Sequence, residues 1–171
     1  MEFAIRLLTP ADVDAYLSIR AEMLDDSPFA FLASPHDDVA SDPDFVRKQL
    51  SRTDGANVIL GAFAPGLVGT VGVVRDRHSK AAHRANVWGM YVTPALRRHG
   101  LARQLLEAGI AHARSLQGVE RLVLGVSAKT PGAQALYERV GFRAWGTEPR
   151  AIGIDGVYAD ETYMSLALDE G

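Results

Sequence analysis

The residues best suited to chemistry lie in one run, NVWGMYVTPALRRHGLARQLL, from Asn86 to Leu106. Its apolar segment, Val87 to Val92, reads as a short strand. The run turns at Thr93-Pro94 and passes through Arg97, Arg98, His99, Gly100, Leu101 and Ala102. It then becomes helical, with Leu101, Leu105, Ala108 and Ile110 on an approximate apolar face. The first N–H groups of a helix have no partners inside it, so a phosphate can accept from them. The arginines add positive charge, and Gly100 lets the backbone come close to a ligand. This pattern suits anion binding. An ordinary strand-to-helix turn with solubilising arginines would use the same residue types.

Composition limits the alternatives. With 171 residues, 47% of them apolar and 23% charged, the chain is sized for one compact domain, 1–171, with a hydrophobic core. A formal net charge of -3 provides no global positive field, so nucleic acid is not an expected partner. Cysteine is absent, which removes disulfides, thiolate metal sites and a cysteine nucleophile and fits a reducing, cytoplasmic setting. The five histidines, His36, His78, His83, His99 and His112, show no metal-ligand spacing beside a carboxylate, so no metal is expected. The opening MEFAIRLLTP is too short and mixed for a signal peptide. No run approaches the ~18 apolar residues of a membrane span.

The remaining elements must position the run. Phe3, Ile5 and Leu7 alternate in a first strand at 3–8. A helix follows over Asp12 to Asp26, carrying Val13, Tyr16, Leu17, Arg20 and Leu24. Phe29-Ala30-Phe31-Leu32 is an apolar cluster in a polar segment, suited to closing the core or to walling a substrate pocket. Asp42-Pro43 opens a short helix to about Thr53. Asn57–Ala64 and Leu67–Val74 read as an antiparallel hairpin about Pro65-Gly66. Arg75 to Arg84 reads as a solvated connection, and the helix of the opening run ends near Leu116.

Arg121 to Val126, apolar on both faces, suits a buried parallel strand. Pro131–Val140 is a helix capped by Gly141. A strand begins over Phe142–Gly146, a loop spans Pro149–Gly156 with a turn at Asp155-Gly156, and a last strand covers Ala159–Leu168. Three consecutive strands followed by two strand–helix units predict an α/β chain, a mixed sheet with helices on both faces. The GxGxxG fingerprint and the GK[ST] ending are both missing, which argues against a dinucleotide domain and a P-loop.

Two signatures in this frame resemble those of the GNAT superfamily, the Gcn5-related N-acetyltransferases. The first is a strand entering [R/Q]-x-x-G-x-[G/A] and a helix, here RRHGLA with Arg97, Gly100 and Ala102. The second is A-x-x-L-Y-x-x-x-G-F, here AQALYERVGF with Ala133, Leu136, Tyr137, Gly141 and Phe142. The opening FAIRLLTPADVDAYLSIR and the closing ADETYMSLAL are similar to the family's first and last elements. The run from His83 to Val92, with SIRAEMLDDSPFAF, resembles a bacterial branch of the family.

The resemblance implies the GNAT fold, a mixed, mostly antiparallel sheet of about seven strands. That sheet is splayed between strand four, 86–92, and strand five, 121–126. It implies acetyl-CoA as cosubstrate, its pyrophosphate held by Arg98, His99, Gly100, Leu101, Ala102 and Arg103. The pantetheine arm would lie in the splay, along Met90, Tyr91 and Val92, helped by a bulge near Gly89-Met90. The N–H of Met90 or Val92 would polarise the thioester carbonyl. Tyr137 would be the general acid facing the sulfur, and Ala133 and Thr130 would flank the arm.

Two positions depart from the family pattern. Thr130 stands where many members carry Asn, so anchoring of the arm is weaker or shifts to Ser127, Lys129 or a backbone group. Asn86 stands where the histone acetylases have a catalytic Glu, so the base lies elsewhere: His83, Glu22, Asp160, Glu161 or a water relay. The expected activity is direct acetyl transfer to a primary amine, on a small molecule or a protein. The acidic Asp25-Asp26 and Asp37-Asp38 either attract a cationic acceptor or are a solvated face. A non-catalytic acyl-CoA-binding module is the alternative. A homodimer is the expected assembly, with no membrane partner.

Overall fold

A computed structural model describes residues 3–168; the ends of the expected domain, 1–2 and 169–171, lie outside it. Strand β1 (Ala4–Leu7) ends at Thr9-Pro10. There the Asp12 carboxylate accepts from Thr9 N at 2.8 Å and takes both outer nitrogens of Arg6. Helix α1 (Val13–Asp26) follows and buries Val13, Tyr16, Ile19, Arg20, Met23 and Leu24, a three-to-four-residue spacing that puts one stripe against the sheet. Residues 27–42 carry only two short 3-10 turns. Asp42 then caps α2 (Pro43–Leu50) by accepting from Asp44 N at 2.9 Å. This helix stops at Leu50 rather than near Thr53.

Strands β2 (Asn57–Phe63) and β3 (Leu67–Arg75) form the expected hairpin, and β4 (Arg84–Val92) returns antiparallel beside β3. The basic run between β3 and β4 is a connection, except that Arg75 still belongs to β3 and Arg84 already belongs to β4. Helix α3 (Leu101–Ser115) leads to β5 (Arg121–Ser127), and α4 (Pro131–Val140) leads to β6 (Arg143–Ile154) and β7 (Val157–Ala167). The seven strands lie in the order β1-β2-β3-β4-β5-β7-β6. Only β4 and β5 are parallel. The sheet is therefore mixed and mostly antiparallel, as expected.

Helices cover both faces. On one, α3 and α4 bury Leu101, Leu105, Leu106 and Tyr137 against Val71, Val73, Leu122 and Met164. On the other, α1 and α2 bury Tyr16, Met23 and Val46 against Ile59 and Tyr91. On α3 the buried stripe includes Leu106, Gly109 and Ala113, while Ala108 packs only at its margin.

One expected loop is a strand. Pro149 to Ile154 continues β6, whose pairing with β7 shifts register between Glu148 and Ile152. Pro149 has no N–H for the ladder, so it is tolerated at a bulge on an edge strand. Arg150, at φ 54, carries the bulge, and its N–H is recovered by the Asp160 carboxylate at 2.8 Å. The Asp155-Gly156 turn then closes a long hairpin, and β7 starts at Val157 rather than Ala159.

Candidate active site

The site begins where a strand pair stops pairing. β4 and β5 are joined only at Arg84–Arg121, Ala85–Leu122 and Asn86–Val123. From Val87 and Leu124 onward they part, although each keeps its other neighbour, β3 or β7. A bulge contributes to the opening: the β3–β4 register shifts opposite Gly89, which sits at φ 56, and the Thr70 hydroxyl donates to its carbonyl at 2.9 Å. The bulge moves Met90 and Val92 to the α3 face and Tyr91 to the α1 face. Thr93 N–H is bonded back to Val68 on β3 at 2.9 Å, so by alternation Val92 N–H points toward the gap. The resulting cleft holds about 1170 Å³, above the roughly 300–1,000 Å³ of single-ligand sites.

The N-terminus of α3 forms one mouth. Arg98, Gly100, Ala102 and Arg103 line it, with Arg98 at φ 66 and Gly100 at φ 78 turning the chain so that the free helix N–H groups face the cleft. The Leu101 side chain is buried in the core, and His99 is exposed, its Nδ1 2.9 Å from the Arg97 carbonyl. These two offer the cleft backbone only. Arg97 borders the cleft but is held elsewhere: Nε donates to the Val92 carbonyl at 3.0 Å, and the guanidinium pairs with Asp26 and lies 5.4 Å from the Tyr91 ring centre. Arg97, with Ser27 beside it, holds the Asp26 carboxyl below its ordinary range.

Tyr137 stands inside the cleft on α4, only 6% exposed, with its ring edge-on to Phe142 at 5.8 Å. Burial pushes its phenol up to about 12. Its hydroxyl has no protein partner among the described residues. Thr130 and Ala133 line the same wall. The Thr130 hydroxyl donates to the Ser127 carbonyl at 2.8 Å, so its proton serves the turn before α4 and only its oxygen lone pairs remain for a ligand. Met90, Tyr91 and Val92 line the opposite wall.

The α1 face of the cleft has a different character. Phe31 and Leu32 line it; Phe31 also packs on the second core, while Leu32 is 77% exposed, so the apolar cluster both closes the core and walls the cleft. Arg20 and Asp38 form a buried two-point ion pair at 2.9 and 3.0 Å that ties the 27–42 segment to α1. The Tyr91 hydroxyl donates to Glu22 at 3.1 Å, and burial together with that carboxylate raises the phenol above its ordinary range. Glu22 itself is exposed on α1 and does not border the cleft. Asp160 is engaged with β6, as described above.

The structure places His83 outside the cleft lining. Its carbonyl accepts from Glu120 and Arg121 at 2.7 and 3.2 Å, at the paired end of β4 and β5. Met90 is seven residues further along the strand, roughly 20 Å away at the usual rise. Asn86 lies on the last paired rung before the splay. Trp88 and Gly125 are among the cleft residues to which the sequence assigned no role. A glycine inside the apolar RLVLGVS was the available signal for Gly125, since it marks close approach.

The fold of the chain is that of solved GNAT proteins. The model of the acetyltransferase (GNAT) family matches residues 17–142, and the chain belongs to that family. An acetyltransferase of the GNAT family from Streptococcus pneumoniae superposes with TM-score 0.84 at 23% identity, covering 97% of this chain and 99% of that one. A GNAT superfamily phosphinothricin acetyltransferase from Sinorhizobium meliloti, solved in complex with acetyl-CoA, superposes with TM-score 0.84 at 18% identity, covering 100% and 91%. A mycothiol acetyltransferase of Salinispora tropica is 30% identical over 136 residues, 79% of this chain. The chain spans 42% of that relative's length.

Proposed function

We propose that this chain transfers an acetyl group from acetyl-CoA directly to a primary amine. The observation that carries the reading is the loss of β4–β5 pairing after Asn86–Val123, directly beside a helix N-terminus and a buried tyrosine. The unpaired backbone suits an extended amide-bearing arm, and the open N–H groups of α3 with Arg98 and Arg103 suit its pyrophosphate. The acetyl-CoA complex of the Sinorhizobium meliloti protein supports the choice of cosubstrate.

The chain's own groups then divide the work. Val92 N–H, directed into the gap, donates to the thioester carbonyl oxygen as negative charge gathers there. Tyr137, protonated through the neutral range, gives its proton to the departing sulfur. A cysteine-free chain needs no acyl-enzyme for this: the neutral amine attacks the carbonyl carbon and the C–S bond breaks.

Calorimetric titration with acetyl-CoA, followed by a thiol-release assay over a panel of amines, tests the reading. Saturable binding with thiol release in the presence of an amine is the expected result. Binding without release for any amine would favour a non-catalytic acyl-CoA-binding module, and no binding would defeat both.

A further inference from the structure

We infer that Glu161 is the group that receives the acceptor's proton, and that the acceptor is a small monoamine on an apolar body with no carboxylate beside its nitrogen. The inference rests on the acetyl-transfer reading and concerns the α1 side of the same cleft.

Placement comes first. In the β5–β7 register Leu124, Val126 and Met164 face α3, so Gly125, Ser127, Glu161 and Tyr163 face α1. Glu161 thus enters the cleft on the face where Trp88 and Tyr91 lie, opposite the tyrosine and helix N-terminus of the donor side. Its carboxylate occupies the space a side chain at 125 would fill: a Cβ there would be 2.3 Å from Oε1. The missing side chain lets a carboxylate lie directly over β5, at the edge of the splay. Tyr163 adds a long contact of 3.4 Å, but its hydroxyl donates mainly to Glu148 at 2.6 Å. Glu148 is the direct cross-strand partner of Glu161. Two carboxylates face each other there with no Lys or Arg paired to either among the described residues. A like-charge pair opposes strand pairing, and a bound ammonium relieves it.

The other acidic groups at this face are already engaged. Asp38 is held by Arg20, and Asp37 accepts from Ser34 N at 2.7 Å. Arg20, the arginine of the α1 core, is spent on Asp38 and is not free to pair a carboxylate on the acceptor. The apolar part of the remaining wall is Phe31, Leu32, Val39, Phe45 and Trp88, beside Gln49 and Asn57, with Leu32, Val39 and Phe45 exposed although large and apolar. An apolar body covers them, and its ammonium meets Glu161.

The proton balance closes. The ammonium loses a proton to Glu161, which passes it to solvent, and the freed lone pair attacks the thioester carbon. The second proton shed by nitrogen matches the one Tyr137 gives to sulfur, so amide and thiol form with one net proton released.

The test uses the full chain with acetyl-CoA and three acceptors: phenethylamine, phenylalanine and spermidine. Thiol release should favour phenethylamine over phenylalanine by at least about tenfold in kcat/KM, since an unpaired carboxylate is costly to desolvate. Glu161→Gln should lower kcat/KM for phenethylamine about 100-fold and remove the acidic limb of the pH profile, while leaving the acetyl-CoA Kd unchanged. Preference for phenylalanine or spermidine would overturn the acceptor class. Retained turnover with an intact acidic limb in Glu161→Gln would overturn the role of Glu161. Either of those failures leaves acetyl transfer standing, whereas absence of acetyl-CoA binding in the unaltered chain overturns that reading and this one together.

Discussion

Arg97, at the turn into α3, is paired with Asp26, the last residue of α1. The first arginine of the RRHGLA motif is therefore a brace between the two mouths of the cleft, while Arg98 and Arg103, the latter paired with Glu107 at 2.7 Å, line it. The pair is partly exposed, so its worth is at the upper end of surface ion pairs, about 1 kcal/mol. Asp26→Asn should weaken acetyl-CoA binding about fivefold with little change in its salt dependence. Arg98→Ala or Arg103→Ala should instead flatten the salt dependence. Calorimetry at two ionic strengths separates the two effects.

Arg98 holds a left-handed backbone, φ 66, without being glycine. That conformation costs a side-chain-bearing residue about 1–2 kcal/mol, part of which glycine's greater unfolded freedom returns. Arg98→Gly should be more stable than Arg98→Ala by about 1 kcal/mol in chemical denaturation. Equal stabilities would show that the turn relaxes around either residue.

Tyr137 has no protein hydrogen bond to lose, so Tyr137→Phe should keep the fold and the acetyl-CoA affinity. It should lower turnover by about 100-fold or more if the phenol protonates the sulfur. The phenol's raised value has a sign that can be checked. The folded chain keeps this proton longer than the unfolded chain, so this contribution to stability is intact below about 10. It is lost as pH rises toward about 12. Denaturation curves across that window should fall more steeply for the unaltered chain than for Tyr137→Phe.

The Arg20–Asp38 pair is buried on both sides. Removing one partner strands the other charge, and such losses run at about 3–5 kcal/mol. Asp38→Ala should therefore destabilise far more than Asp37→Ala, whose carboxylate is exposed. It should also loosen the 27–42 segment, raising amide exchange there ahead of the sheet. Uniform exchange would argue that the segment is held by Phe31 packing instead.

The sequence makes the donor half of the cleft legible because that half is built locally. RRHGLA is a turn and a helix start in consecutive residues, and AQALYERVGF is a helix and its cap. The anion-suited turn follows from backbone rules that need no distant contact, while a role for AQALYERVGF is what the family resemblance implies. Periodicity likewise places most strands and helices, and it fails at Pro149, where a proline normally ends a strand. Here an edge position and a carboxylate from the neighbouring strand allow the strand to continue.

The sequence by itself determined the family, the sheet with helices on both faces, and the basic glycine turn into α3. Only the tertiary structure decided the α1 side of the cleft. Strand register brings Glu161 over Gly125, the ion pair of Arg20 with Asp38 neutralises one acidic group, and β4's paired end carries His83 away from the cleft. These are consequences of which residues distant in the chain meet, and one step of β5–β7 register would turn Glu161 away from Gly125.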